Sequence, residues 1–246
     1  MKISFRNISK CYGKKEVISN LNLDIPLKRG AVGLIGPNGA GKTTIFKMIS
    51  GIYIGTEGEI SVKDDDSKII VAGNEYNNWS HMNIAFIPSN DRDLSYKHTV
   101  YDNVLYYGLL KGSKKREIEN DILRYSEELQ LNHILYERVE KLSTGQKKIA
   151  QLLCAFCSNL SHIVLDEPTS GLDIGSKIEC LGTLTKITGS KTVIISSHDV
   201  DFLSNFCETF YFIFHGKLVD IVDEKMTLEE IYLKYENLKN GGISYE

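Results

Sequence analysis

The 246-residue chain carries a net charge of −3 and is 42% apolar and 25% charged, the profile of a globular protein with material for a sizeable core. It has no run of about 18 apolar residues, and Met1-Lys2-Ile3-Ser4-Phe5-Arg6 alternates like a strand without the apolar core of a signal peptide, so neither a membrane-spanning nor a secreted chain is expected. The acidic balance argues against a protein that coats nucleic acid, so no nucleic-acid partner is expected, and five cysteines in a chain that needs no staples fit a reducing compartment.

In chain order, residues 31–35 (Ala-Val-Gly-Leu-Ile) form the first run that reads as a strand buried on both faces. A glycine-rich stretch follows, and a helix runs from Lys42 toward Ile49. Residues 58–87 hold short alternating stretches around Asp64-Asp65-Asp66, which predicts antiparallel strands joined by a solvated turn rather than a metal site. Residues 89–160 are helical in pattern, with Ile118, Ile122, Leu123 and Leu129 set among charges as one apolar face. Within them, Cys154 and Cys157 sit one turn apart in an apolar helix and read as core packing. Two more doubly buried strands, residues 163–165 and 192–195, end at Asp166-Glu167 and at Ser196-Ser197-His198. Near the end Thr227-Leu228-Glu229-Glu230 is a capping box, opening a helix with Leu228, Ile231, Tyr232, Tyr235 and Leu238 as its docking stripe. Because that glycine-rich stretch, Gly36-Pro37-Asn38-Gly39-Ala40-Gly41-Lys42-Thr43, has the phosphate-loop pattern between a buried strand and a helix, the expected fold is α/β: a phosphate-loop NTPase core with a mostly parallel sheet (residues 1–88 and 161–246), an antiparallel β subdomain, and an inserted helical subdomain (residues 89–160).

Ligands of open α/β sheets bind beyond the carboxyl ends of the strands, where this sequence places a glycine loop, two carboxylates and a histidine. Gly36-Pro37-Asn38-Gly39-Ala40-Gly41-Lys42-Thr43 matches G-x-x-x-x-G-K-[ST], whose backbone N–H groups cradle phosphate oxygens ahead of a helix N-terminus. Lys42 is placed to reach the β- and γ-phosphates and Thr43 to hold Mg²⁺. Asp166 is the second Mg²⁺ candidate. Glu167, adjacent on an extended chain, should point the other way as general base toward an attacking water. His198 is placed to bond the γ-phosphate. Leu142-Ser143-Thr144-Gly145-Gln146 adds a second anion-binding helix end, with Ser143 as N-cap.

With that pentapeptide the sequence resembles the ATP-binding subunits of ABC transporters, whose signature is Leu-Ser-Gly-Gly-Gln, and the resemblance spans nearly the whole chain. It implies a single ATP-binding domain over residues 1–246, ATP as substrate and Mg²⁺ as cofactor. It also implies adenine stacking on Tyr12 beside Val17, nucleotide contacts from Gly36 through Thr44, and a dimer-contact loop containing Asp173. In this family Ser143, Thr144, Gly145 and Gln146 would complete the site of a partner chain, which accounts for two anion-binding helix ends and one phosphate loop. The partner would be a second copy or a sister subunit, alongside integral membrane subunits, on the cytoplasmic face of the cell membrane. Residues 99–109 resemble exporter-type members, so export is the expected role, with a soluble assembly ATPase, as in iron–sulfur cofactor assembly, as the alternative. The family's usual switch-loop glutamine is replaced by Ser89, a shorter candidate Mg²⁺ ligand, and Thr144 replaces the first signature glycine.

Overall fold

The computed structural model describes residues 1–188 and 191–241. The chain opens on two long strands, β1 (Lys2–Tyr12) and β2 (Lys15–Pro26), followed by β3 (Gly30–Ile35) and α1 (Lys42–Ile49). Next come β4 (Glu57–Lys63), β5 (Ile69–Ala72), α2 (Asn74–Asn83) and β6 (Ile84–Ile87). A helical stretch contains α3 (Val100–Leu110), α4 (Lys115–Glu128), the short α5 (Asn132–Leu135) and α6 (Thr144–Phe156). The remainder alternates: β7 (His162–Asp166), α7 (Ile174–Thr188), β8 (Thr192–Ser196), α8 (Val200–Phe206), β9 (Thr209–Phe214), β10 (Lys217–Val222) and α9 (Leu228–Gly241).

These strands form two sheets. The core sheet has the order β10-β9-β3-β8-β7-β6, parallel except for β10 at its edge. The antiparallel sheet has the order β2-β1-β4-β5. Alternation along each core strand explains why the runs read as apolar throughout. Val164 and Ile194 turn to one face, where they meet Ile45, Phe46 and Ile49 of α1 and the inner side of the antiparallel sheet. Ile163, Leu165, Val193 and Ile195 turn to the other, against the helices that follow β6. Each such fully buried side chain contributes about 1.5–3 kcal/mol, so α1 is fixed firmly between two sheets.

Residues 58–87 depart from the all-antiparallel expectation. Only β4 and β5 are antiparallel; residues 74–83 are helix α2, and β6 joins the core sheet parallel to β7. In α4, Ile118 and Ile122 are buried as the pattern requires, but Leu123 is exposed because the face is one residue narrower than the spacing suggests. α9 is capped by Thr227 and Glu230, whose side chain and backbone groups bond reciprocally. Its stripe is also narrower than expected: Ile231 is buried and Tyr235 packs on Phe214 at 5.4 Å, while Leu228 and Tyr232 stay exposed. Cys154 and Cys157 are buried thiols whose pKa burial drives up, and no metal-holding cluster occurs among the described residues.

Candidate nucleotide site

The phosphate loop begins where β3 ends and turns into α1 through Gly41, the helix N-cap, at φ 100°. That backbone region is closed to side chains in practice, and a Cβ here would also lie 2.5 Å from Ile18 Cδ1. The turn delivers Lys42 into the loop's own mouth, where Nζ donates to the carbonyls of Gly36 (2.7 Å) and Pro37 (3.2 Å). Burial holds the Lys42 pKa below the ordinary lysine value, although the carboxylates of Glu167 and Asp166 act in the opposite sense. Thr43, one residue on, donates from its hydroxyl to Asp166 Oδ2 at 2.8 Å.

Asp166 closes β7 and is 2% exposed. Its other oxygen accepts from Ser196 Oγ at 3.0 Å, because β8 sets Ser196 directly beside Asp166 in the parallel ladder. Glu167 does not continue the strand as expected: it stands at φ 50°, in the left-handed region. Its N–H bonds back to the Ser196 carbonyl at 3.1 Å, and the turn swings its carboxylate into the cavity. There Oε2 accepts from the backbone N–H of His198 at 3.0 Å, and Oε1 lies 3.2 Å from His198 Nε2. The imidazole, about half exposed, therefore stands against Glu167 in this conformation, although Oε1 accepts no hydrogen bond among the described residues.

Lys15, Val17, residues 38–44, Glu167 and His198 line one cavity of about 270 Å³. Gly36 and Pro37 border a neighbouring cavity instead, closed by Tyr232 and Tyr235 and sharing Asn38 and His198 with the first. Tyr12 stands outside the lining, with its hydroxyl 3.4 Å from Thr44 Oγ1 and its ring edge-on to Tyr53 at 5.8 Å. Ser89 is exposed and is not among the residues that line this cavity. Its carbonyl instead accepts from Lys148. Lys15 lines the cavity and Ser196 holds Asp166, although neither belongs to a motif. Ser196 was detectable as the residue paired with the strand-end aspartate, Lys15 only through the fold.

Ser143–Gln146, at the start of α6, is not part of this cavity's lining. Ser143 Oγ accepts from Gln146 N–H at 3.2 Å, and Gln146 Oε1 accepts from Ser143 N–H at 3.0 Å. Gly145 is pressed against α7: a Cβ there would meet Ser176 Oγ at 2.2 Å. Asp173 caps α7, accepting from Ser176 N–H at 3.0 Å and from its hydroxyl at 2.7 Å.

Residues 18–170 match the ABC transporter family. The chain is an ABC transporter ATP-binding domain. The lantibiotic transport ATP-binding protein SrtF of Streptococcus pyogenes is 31% identical over an alignment of 252 positions, gaps included, that covers 99% of this chain and 98% of SrtF. The uncharacterized ABC transporter ATP-binding protein YhaQ of Bacillus subtilis is 31% identical over 218 residues, 88% of this chain and 70% of YhaQ. Among solved structures, an ATP-binding subunit of an ABC transporter superposes with a TM-score of 0.79 at 21% identity, covering 96% of this chain and 100% of that one. A dimeric ATP-binding cassette in a post-hydrolysis state with ADP and Pi superposes at 0.74 with 23% identity, covering 89% of this chain and 97% of the other. The fold is that of the family's nucleotide-binding cassettes: a phosphate-loop core, an antiparallel sheet and an inserted helical region. Among the described residues, no helix of the ATP-binding domain is long and apolar enough to cross a membrane.

Proposed function

We propose that this ATP-binding domain hydrolyses ATP to ADP and phosphate and couples the reaction to export through separate membrane subunits, acting as one cassette over residues 1–246 on the cytoplasmic face of the membrane. One observation carries the reading: a phosphate loop, the Thr43–Asp166 contact and the Glu167–His198 contact meet at one cavity mouth. The N–H groups of residues 38–44 and the Lys42 ammonium would hold the β- and γ-phosphates, with Gly36 and Pro37 shaping the loop behind them. Thr43 and Asp166 are hard oxygen donors side by side, which fits Mg²⁺, and they would hold it. When bound, the ion supplies charge neutralisation at the phosphates.

Glu167 accepts a proton from the attacking water as its oxygen bonds to the γ-phosphorus and the bond to the β-phosphate oxygen breaks, leaving ADP. His198 holds that carboxylate through its backbone N–H and shares the γ-phosphate end of the cavity. Tyr12, with Val17 beside it, takes the adenine. Ser143, Thr144, Gly145 and Gln146 would serve the nucleotide of a partner chain, with Asp173 at the dimer contact. Support for that pairing comes from the absence of residues 143–146 from the lining of their own chain's cavity and from the dimeric cassette of the same fold. Export is supported by relatives that include lantibiotic transport, Nod factor export and lipopolysaccharide export ATP-binding proteins.

Glu167→Gln should lower phosphate release by about 10²–10⁴-fold and leave ATP binding intact, since it removes the base without altering the phosphate loop. Unchanged turnover would overturn the catalytic assignment. Gentle detergent extraction from the native host tests the coupling: a stoichiometric multi-spanning membrane protein is expected with the chain, and a soluble scaffold in its place would overturn the transport reading.

A further inference from the structure

None of residues 88–93, which follow β6, lines the nucleotide cavity. The segment is fastened instead to α6 at three successive places. Lys147 Nζ lies 3.5 Å from Asp91 Oδ2. Lys148, 5% exposed, donates to the carbonyls of Pro88 (3.0 Å) and Ser89 (3.4 Å). Gln151, fully buried, donates from Nε2 to the Asn90 carbonyl (2.8 Å) and to Asp93 Oδ1. Both neighbours of that nitrogen are acceptors, which fixes the orientation of the amide.

Gln151 is an expensive residue for this place. Its neighbours in the chain, Ile149, Leu152 and Leu153, belong to the helical core, and its Oε1 has no hydrogen-bond partner among the described residues. Burying an unpaired carbonyl costs free energy that a leucine at the same position would not incur. What the amide provides and a leucine cannot is a fixed attachment between α6 and residues 90 and 93. The same helix begins eight residues earlier at Ser143, about 12 Å along a rigid rod. On the reading above, that end serves the partner subunit's nucleotide.

We propose that Gln151 is a positioning residue: it makes the segment after β6 and the Ser143–Gln146 helix end one body, so that the placement of residues 90–93 sets whether that end reaches the partner subunit's nucleotide. The inference rests on the shared-site reading of the proposed function, and its test separates the two.

In Glu167→Gln chains, ATP affinity is measured on dilute single chains, and ATP-driven dimerisation by light scattering at rising concentration. Gln151→Leu should leave single-chain affinity within about twofold and weaken dimerisation by about tenfold, the scale of a modest coupling between sites. Asp93→Leu should reproduce this, and the double variant should be no worse than either single one. Asp93→Asn, which keeps an acceptor oxygen, should retain dimerisation. Dimerisation unaffected by Gln151→Leu would overturn the proposal alone, as would a parallel loss of affinity and dimerisation, the mark of a merely structural role. A parent chain that ATP does not dimerise would remove the shared site and the proposal with it.

Discussion

Glu167 precedes Pro168, a position that favours extended backbone, and yet it stands at φ 50°. The departure is what turns its carboxylate from the strand direction toward His198, so the strained residue and the proposed base are the same one. A residue at the opposite end of β7 carries a different cost. His162 opens β7 with its ring 6.3 Å from that of Trp79, and its buried Nδ1 has no partner among the described residues. Burial, helped by the Lys191 ammonium, holds its pKa down at about 4 against an ordinary 6.5. Between those values the unfolded chain binds a proton that the folded chain refuses, so stability falls as pH drops from 6.5 toward 4, by on the order of 2 kcal/mol. Replacing His162 with Phe, which keeps a ring against Trp79, should flatten that part of the stability–pH curve. Chemical denaturation at pH 4.5 and 7 measures it, and parallel curves for the two proteins would refute the assignment.

Elements were legible in the sequence wherever burial was two-sided or capping was explicit. β3, β7 and β8 were readable as continuous apolar runs, and α6 and α9 through their caps at Ser143 and Thr227. The convergence of the phosphate loop, Asp166, Glu167 and His198 followed from the parallel order of those strands. α2 was not legible: it contains four asparagines, residues with weak helix preference, and buries only Tyr76 and Ser80, too little for a periodic signal. Nor could spacing show that Gly145 is needed within its own chain. The close approach of α6 to Ser176 at the start of α7 leaves no room for a methyl group. Gly145→Ala should therefore lower the melting temperature, with a cost of about 1–3 kcal/mol for the overpacking. Adding Ser176→Gly removes the obstructing side chain and should restore most of the loss. A Gly145→Ala protein as stable as the parent would show that α7 gives way freely.

At the scale of the whole molecule, the unequal count of parts matters most: one phosphate loop with its carboxylates on one cavity, and a second capped helix end facing elsewhere. If each site takes its loop from one chain and its helix end from another, two differently damaged chains can repair one another. Lys42→Ala removes the phosphate-binding ammonium and leaves α6 intact, whereas Ser143→Arg fills the helix end and leaves the loop intact. Each variant alone should be inactive. Mixed in equal amounts, half of the dimers pair one chain of each kind, and each of those holds one site built entirely from undamaged parts. The mixture should then recover about a quarter of the parent turnover per chain, provided one intact site turns over independently. Phosphate release across a titration of one variant into the other, at constant total protein, measures this directly. The shared arrangement requires a maximum near equal proportions; activity that stays at the level of the two variants throughout would mean that each chain completes its own site.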